Sequence, residues 1–244
     1  MIDVALVPAE LPENHQLADQ AVLVIDVLRA TSTIVTALAA GATSVVPVSD
    51  PAEARKLAEA LGDGIVMAGE RGGLPLPGFD LGNSPLEYTS EKVQGKVVVL
   101  STTNGTVALQ RVQTAEKVGT AAFLNAAAAA DWAVQALNEG LRLLLVCAGT
   151  VRRFSWEDTC LAGLLTCLIQ ERQEGVTCSD GAVAAVRLWK GFNDANEVFM
   201  LSRHGKRLKE LGFGADLTYC ARTSVINAVP ELHNARLMFA ERIS

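Results

Sequence analysis

The sequence predicts an α/β protein of three layers, α/β/α, built on a largely parallel sheet, and three observations predict it. Short apolar runs rich in Val, Ile and Leu alternate with segments of helical period along most of the chain. Half of the residues are hydrophobic but only 5% are aromatic, the aliphatic composition of helices laid on strands that are buried on both faces. The 244 residues match about one large domain. No low-complexity linker divides residues 1–244, so a single domain is expected.

Taken in order, residues 3–7, 21–25, 44–48, 64–68, 96–100, 117–120 and 142–147 read as strands. Between them, 32–40, 51–60, 105–111, 126–138 and 157–171 read as helices. Asp50-Pro51 supplies an N-cap followed by proline at the first helical position. The last third is more helical, over 179–190 and 194–211, with late strands expected at 224–229 and 236–240. One internal echo stands out. Leu23 to Asp26 runs through Arg29-Ala30-Thr31-Ser32-Thr33 into a helix, and Val98 to Ser101 runs through Thr102-Thr103-Asn104-Gly105-Thr106 into another. Two similar halves would produce this, and so would any doubly wound sheet.

Charge and composition exclude several classes. A net charge of −6 and a pI near 5.2 oppose a nucleic-acid surface, which needs a basic face to neutralise phosphates. The most apolar stretches, 21–28 and 141–149, fall short of the roughly 20 residues that cross a bilayer, so no membrane partner is expected. Met1-Ile2-Asp3-Val4 opens no secretory signal, and Pro8, Glu10 and Pro12 interrupt the hydrophobicity around it. The five cysteines are odd in number and contain no C-x-x-C pair, which fits a reduced cytoplasm. Cys160 and Cys167, seven apart in a helical pattern, read as core packing. A homodimer is the default assembly.

In open α/β sheets, ligands bind beyond the carboxyl ends of strands, and four segments end there. The first is Asp26 to Thr33, where an acid closes a strand and Arg29, Thr31 and Ser32 precede a helix. It reads as an anion site beside a metal ligand, or as an Asp26–Arg29 pair with a hydroxyl cap. The second is Gly69-Glu70-Arg71-Gly72-Gly73 and the Gly- and Pro-rich run to Pro85, longer than a plain connector. There Glu70 suits a hard cation, Arg71 suits a phosphate or sulfonate, and Asn83-Ser84-Pro85 suits a helix cap; the competing picture is a solvated surface loop.

The third segment, Ser101 to Thr106, places hydroxyls, the Asn104 amide and Gly105 directly after a buried strand, as donors for a phosphoryl group. Asn-Gly is also a hairpin signal, but Val107-Ala108-Leu109 continues helically. The fourth runs from Cys147 to Asp158. Cys147 and Arg153 have the C-x5-R spacing of cysteine-dependent phosphatases, against the simpler picture of a packed cysteine. Ser155 followed by Glu157-Asp158 resembles a helix N-cap, with Asp158 open as a metal ligand. P-loop, dinucleotide-fold and α/β-hydrolase signatures are all absent. His15, His204 and His233 are far apart in sequence, and the basic run 203–207 reads as a solvated helix face. A hard, oxygen-ligated cation is therefore favoured over zinc.

At these same segments the sequence resembles the 2-phosphosulfolactate phosphatase family of coenzyme M biosynthesis. The likeness rests on residues 24–32, 69–72, 78–85, 101–106, 147–149 and 154–158, with Ala162-Gly163 beyond them. It implies an α/β/α phosphatase that uses Mg2+ and acts on a small phosphorylated, sulfonated acid to release sulfolactate and inorganic phosphate. The sequence departs from the pattern near Arg152, where a glycine is expected, and near Ser224, where an acid is expected.

The expectation is then metal-assisted hydrolysis of a phosphate monoester. Asp26, Glu70 and Asp158 are the candidate Mg2+ ligands, and Asp26, Arg29, Glu70 and Asn104 the candidate catalytic residues. Thr31, Ser32, Arg71, Thr103, Asn104, Gly105 and Thr106 are the candidate substrate-binding residues. Direct attack by water and an Asp26 phosphoenzyme both stay open. A Cys147 nucleophile and a non-catalytic binder of phosphorylated or sulfonated metabolites are the alternatives.

Overall fold

The structure, a computed structural model, describes residues 1–11, 17–151 and 153–239; Pro12, His15, Arg152 and Ala240 lie outside them. Strands and helices alternate as the sequence predicts: β1 (Ile2–Ala5), β2 (Gln20–Ile25), α1 (Ala30–Ala39), β3 (Ser44–Val48), α2 (Pro51–Leu61), β4 (Ile65–Arg71) and β5 (Leu74–Pro75). There follow α3 (Ser90–Val93), β6 (Val97–Ser101), α4 (Gly105–Arg111), β7 (Lys117–Ala121), α5 (Ala126–Asn138), β8 (Arg142–Cys147) and α6 (Trp156–Arg172). The chain ends with α7 (Asp180–Trp189), α8 (Ala195–Leu201), α9 (Arg203–Glu210), α10 (Gly214–Cys220), β9 (Pro230–His233) and β10 (Arg236–Phe239). Asp50 caps α2 through its side chain, as expected, and Ser155 caps α6. Among the described residues no helix is long and apolar enough to cross a membrane.

Two expectations at the C-terminal end are corrected. The helix expected over 194–211 is two helices, because Ser202 is extended and its hydroxyl accepts the Gly205 N–H, ending α8 and capping α9. The strand expected at 224–229 does not form. Ser224 has φ +57, and the N–H groups of Ser224, Val225 and Ile226 donate to Phe123 and Leu124 carbonyls instead of a neighbouring strand. Pairing starts only at Pro230.

Among the described residues the sheet has ten strands, in the order β1-β8-β2-β7-β9-β10-β3-β6-β4-β5. β1, β8, β2 and β7 form one parallel block, and β3, β6 and β4 form another. The antiparallel hairpin β9–β10 joins them through antiparallel pairings to β7 and β3, so the two blocks run in opposite senses. Helices flank this sheet. Leu23 and Ile25 of β2 face α5 and α6, while their neighbours Val22 and Val24 face a cluster with Ile34 and Leu38 of α1 and Leu109 of α4. That second cluster also takes in Val45, Val66 and Val98 from the other block. On the far side of that block, α2 packs Ala54 against Val46 and Val99.

Curvature of the sheet makes the site. Four strands stand between β2 and β6, which in a flat sheet would hold the two strands about 24 Å apart, with their carboxyl ends on opposite edges. Yet a Cβ built on Gly105, just after β6, would lie 2.7 Å from Oδ2 of Asp26, just after β2. The two blocks therefore curve around α1 and α4 until their loops meet. Only glycine fits at that meeting point.

Candidate active site

Where the loops meet there is a cavity of about 670 Å3. Its floor carries Asp26, Arg29, Glu70, Asn83, Thr103 and Asn104. Four strand-to-helix or strand-to-strand connections converge on it, as the carboxyl-end rule predicts.

Asp26 is 5% exposed, and the backbone N–H groups of Ala30 and Gly105 lie near enough to its carboxylate to favour the charged form. Burial, and then the facing charge of Glu70, push its pKa up to about 7. Glu70 is held by three donors. Its Oε1 accepts the Thr103 N–H and hydroxyl, both at 2.8 Å, and Oε2 accepts the Gly73 N–H at 2.8 Å. Thus β4, the turn after it and the β6–α4 loop are tied together at one carboxylate. Asn104 accepts the Val151 N–H through Oδ1 at 3.1 Å, which joins the β8–α6 loop to the same wall.

Arg29 is buried and does not pair with Asp26. One guanidinium nitrogen lies 2.7 Å from Oδ2 of Asp216, another donates to the Gly73 carbonyl at 2.7 Å, and the Phe213 ring stacks 4.2 Å away. Ser84 donates to the other Asp216 oxygen at 2.6 Å. The charge of Arg29 is thus balanced behind the cavity, leaving Asp26 and Glu70 facing each other without a neutralising partner.

Other expected site residues are placed elsewhere. Thr31 and Ser32 are fully buried and bond to the loop itself: Thr31 accepts the Asp26 N–H, and Ser32 donates to the Val27 carbonyl. Arg71 spends its guanidinium on Ser49, Glu70 and Ser101. Thr106 donates to the Thr102 carbonyl, and the Gly105 N–H is directed to Asp26. These hydroxyl-rich loops use most of their donors to hold their own shape. Asp158 is buried with Oδ1 accepting from Val27 N–H and Oδ2 from Gly149 N–H, so it braces two loops behind the wall. Cys147 is fully buried in the sheet, and burial followed by the Asp158 charge pushes its thiol well above the usual range. A thiolate nucleophile has no support there.

Sequence reasoning does not assemble the rim: it takes Arg153 only as the partner of a Cys147 thiol and reads 203–207 as a solvated face. Thr150, Val151 and Arg153 line the cavity from the β8–α6 loop, and Arg203, His204 and Arg207 line it from α9. The run 203–207 therefore faces the site on one side, although its arginines are exposed as a solvated face would be. Its local pattern is that of any amphipathic helix, so only the tertiary placement distinguishes it.

The donor set fits a hard cation on a small scale. Among the described residues no cluster of three or more His, Cys, Asp or Glu side chains is formed for a metal. Mg2+, however, is commonly held by one or two carboxylates with water and substrate phosphate. Asp26 and Glu70 supply two, and beside them Oδ1 of Asn83 is buried with no hydrogen-bond partner among the described residues.

The chain is similar to proteins described as phosphatases over nearly its whole length. The family described as 2-phosphosulpholactate phosphatase matches residues 5–235. The chain is 43% identical over 232 residues to a probable 2-phosphosulfolactate phosphatase of Carboxydothermus hydrogenoformans, covering 95% of this chain and 93% of that one. A protein of the same description from Thermotoga petrophila is 42% identical over 242 residues, 99% of each chain. Another, from Clostridium acetobutylicum, is 34% identical over 233 residues, 96% of this chain and 98% of its own.

Proposed function

Because the chain belongs to the 2-phosphosulpholactate phosphatase family, we propose that it is a phosphoric monoester hydrolase that converts 2-phosphosulfolactate and water to 3-sulfolactate and inorganic phosphate with Mg2+. The observation that carries this reading is the cavity lined both by two buried, facing carboxylates, Asp26 and Glu70, and by the exposed arginines Arg153, Arg203 and Arg207. Carboxylates alone repel a phosphate dianion, so a floor of this kind accepts one only through an intervening cation.

Asp26 and Glu70, with the side-chain amide oxygen Oδ1 of Asn83, would hold Mg2+. When bound, the ion supplies neutralisation of phosphoryl oxygens as the water-derived oxygen joins phosphorus and the ester oxygen leaves. The Thr103 N–H and hydroxyl keep Glu70 in its orientation. Arg29, fixed by Asp216, sets the Gly73 turn against the cavity. Asn104 retains its amide N–H groups as donors at the wall, since its oxygen is the atom used by Val151.

Phosphate release from 2-phosphosulfolactate, 2-phospholactate and simple alkyl phosphates, with Mg2+ or with chelator, tests the proposal. Release that depends on Mg2+ and survives Cys147→Ser supports it. Metal-independent release abolished by Cys147→Ser would replace it with thiol chemistry. Binding of sulfolactate with no release from any ester would leave a binding protein.

A further inference from the structure

The chain carries a net charge of −6, yet Arg153, Arg203 and Arg207 converge on one cavity mouth. Arg207 has a single acidic neighbour, Glu210 at 3.6 Å on the exposed side of the same helix. Arg153 and Arg203 have no acidic partner among the described residues. Three guanidinium groups brought together with a single exposed carboxylate among them repel one another.

The placement of Arg203 also works against the helix that bears it. A cation in a first helical turn faces the positive end of the macrodipole. α2, α6, α7, α8 and α10 each carry an acid in the first turn, while α9, like α1, α4 and α5, has none, and it opens with Arg203. The segment is nevertheless held firmly. Ser202 caps it, and Gly205 comes so close to α8 that a Cβ would lie 2.0 Å from the Phe199 carbonyl oxygen. Arg203 and Arg207, one turn apart, thus project from a fixed support. Opposite them, the Thr150–Arg153 turn closes by two backbone hydrogen bonds and is tied to Asn104 through Val151.

The geometry points to Arg153, Arg203 and Arg207 as the specificity site for the non-reacting anionic groups of the substrate, the carboxylate and sulfonate carried beside the phosphate ester. This rests on the proposed phosphatase reading and deepens it. The floor handles the phosphoryl group, and the rim recognises the acid to which it is attached. Planar guanidinium groups suit both carboxylate and sulfonate oxygens, and a ligand with two such anions engages more of them than a ligand with one.

The test is a substrate series of isopropyl phosphate, 2-phospholactate and 2-phosphosulfolactate, which adds first a carboxylate and then a sulfonate to one secondary phosphate ester. The wild-type protein should show kcat/KM rising along the series. In the double variant Arg203→Gln/Arg207→Gln, and separately in Arg153→Gln, the ratio of kcat/KM for 2-phosphosulfolactate to that for isopropyl phosphate should fall at least tenfold, mainly through KM. Arg203→Lys/Arg207→Lys should recover part of it. Lys206→Gln, on the same helix but outside the cavity lining, removes one charge, as Arg153→Gln does, and should leave the ratio within twofold. An unchanged ratio in the arginine variants, or an equal fall with Lys206→Gln, would overturn the assignment. Calorimetric binding of 3-sulfolactate keeps the two proposals separable. If the wild-type protein releases no phosphate, the phosphatase reading fails, and the rim still stands or falls on whether Arg203→Gln/Arg207→Gln weakens sulfolactate binding tenfold.

Discussion

At the floor of the cavity, Asp26 and Glu70 are buried and engaged by donors fixed in the loops; at the rim, Arg153, Arg203 and Arg207 are exposed and almost unpaired. Both regions concentrate like charge, but the fold restrains only one of them. The floor is assembled from hydrogen bonds that would be lost if the carboxylates moved, so its geometry and the stability of the loops are one property. The rim rests on helix α9 and a tight turn whose backbones are held without reference to the guanidinium groups. A substitution at the floor should therefore couple catalysis to folding, whereas one at the rim should alter binding alone.

The largest expected effect is at Asp26. Asp26→Asn removes the charge and keeps the shape, and kcat should fall by on the order of a thousandfold. Its folded pKa, about 7, lies above the ordinary 3.8. The penalty for burying this carboxylate is thus full above pH 7 and is relieved as the pH falls from about 7 towards 4. In metal-free protein, Asp26→Asn should raise the thermal midpoint at pH 8, and the gain should shrink by pH 5.5. A lower midpoint at pH 8 would mean that the floor is not electrostatically strained.

Next comes the support behind the floor. Asp216→Ala would leave Arg29 buried without its counter-ion, which typically costs about 3–5 kcal/mol. For a chain of this size that corresponds to a loss of roughly 6–20 °C in midpoint, readable by calorimetry. A loss no greater than that of an exposed pair such as Arg142–Asp19 would show that Arg29 is balanced in some other way.

These residues differ in how legible they are from sequence. Asp26 and Asn104 follow buried strands and Glu70 stands near the end of one, where polar residues stand out against an apolar run, and the cavity does gather them. The hydroxyls of Thr31, Ser32 and Thr106 occupy the same loops but are used to shape them, because a side chain and the nearby backbone can satisfy each other locally. Sequence alone does not separate those two uses. Asp216 was invisible for a different reason: its partner is 187 residues away, and a lone acid in a short helix has no pattern. Likewise the alternation of strands and helices was legible, but the reversal of the second block depends on the β9–β10 hairpin and on single-residue pairings at its edges.

The rim should respond to salt where the floor does not. Raising ionic strength from about 0.01 to 0.15 M shortens the screening length from roughly 30 to 8 Å. With Mg2+ held saturating, KM for 2-phosphosulfolactate should rise several-fold while kcat changes by less than about twofold. The rise should be smaller in Arg203→Gln/Arg207→Gln, and kinetic titrations at matched Mg2+ would show it.

The smallest expected effect marks the boundary of the site. Cys147 ends β8 immediately before the loop that carries Arg153, the nearest this chain comes to the spacing of a thiol phosphatase. Its sulfur is nonetheless buried in the cluster that includes Ile25 and Cys160, and its proton is held more tightly than that of a free thiol. Cys147→Ser exchanges a weakly polar group for a hydroxyl in an apolar setting, so a stability loss of about 1–2 kcal/mol is expected from desolvation. Because that sulfur takes no part in lining the cavity, kcat and KM should both stay within about twofold. A thousandfold loss of kcat in a variant that still melts cooperatively would move the reacting centre from the floor to the base of the rim, and would reverse the roles assigned to the two regions.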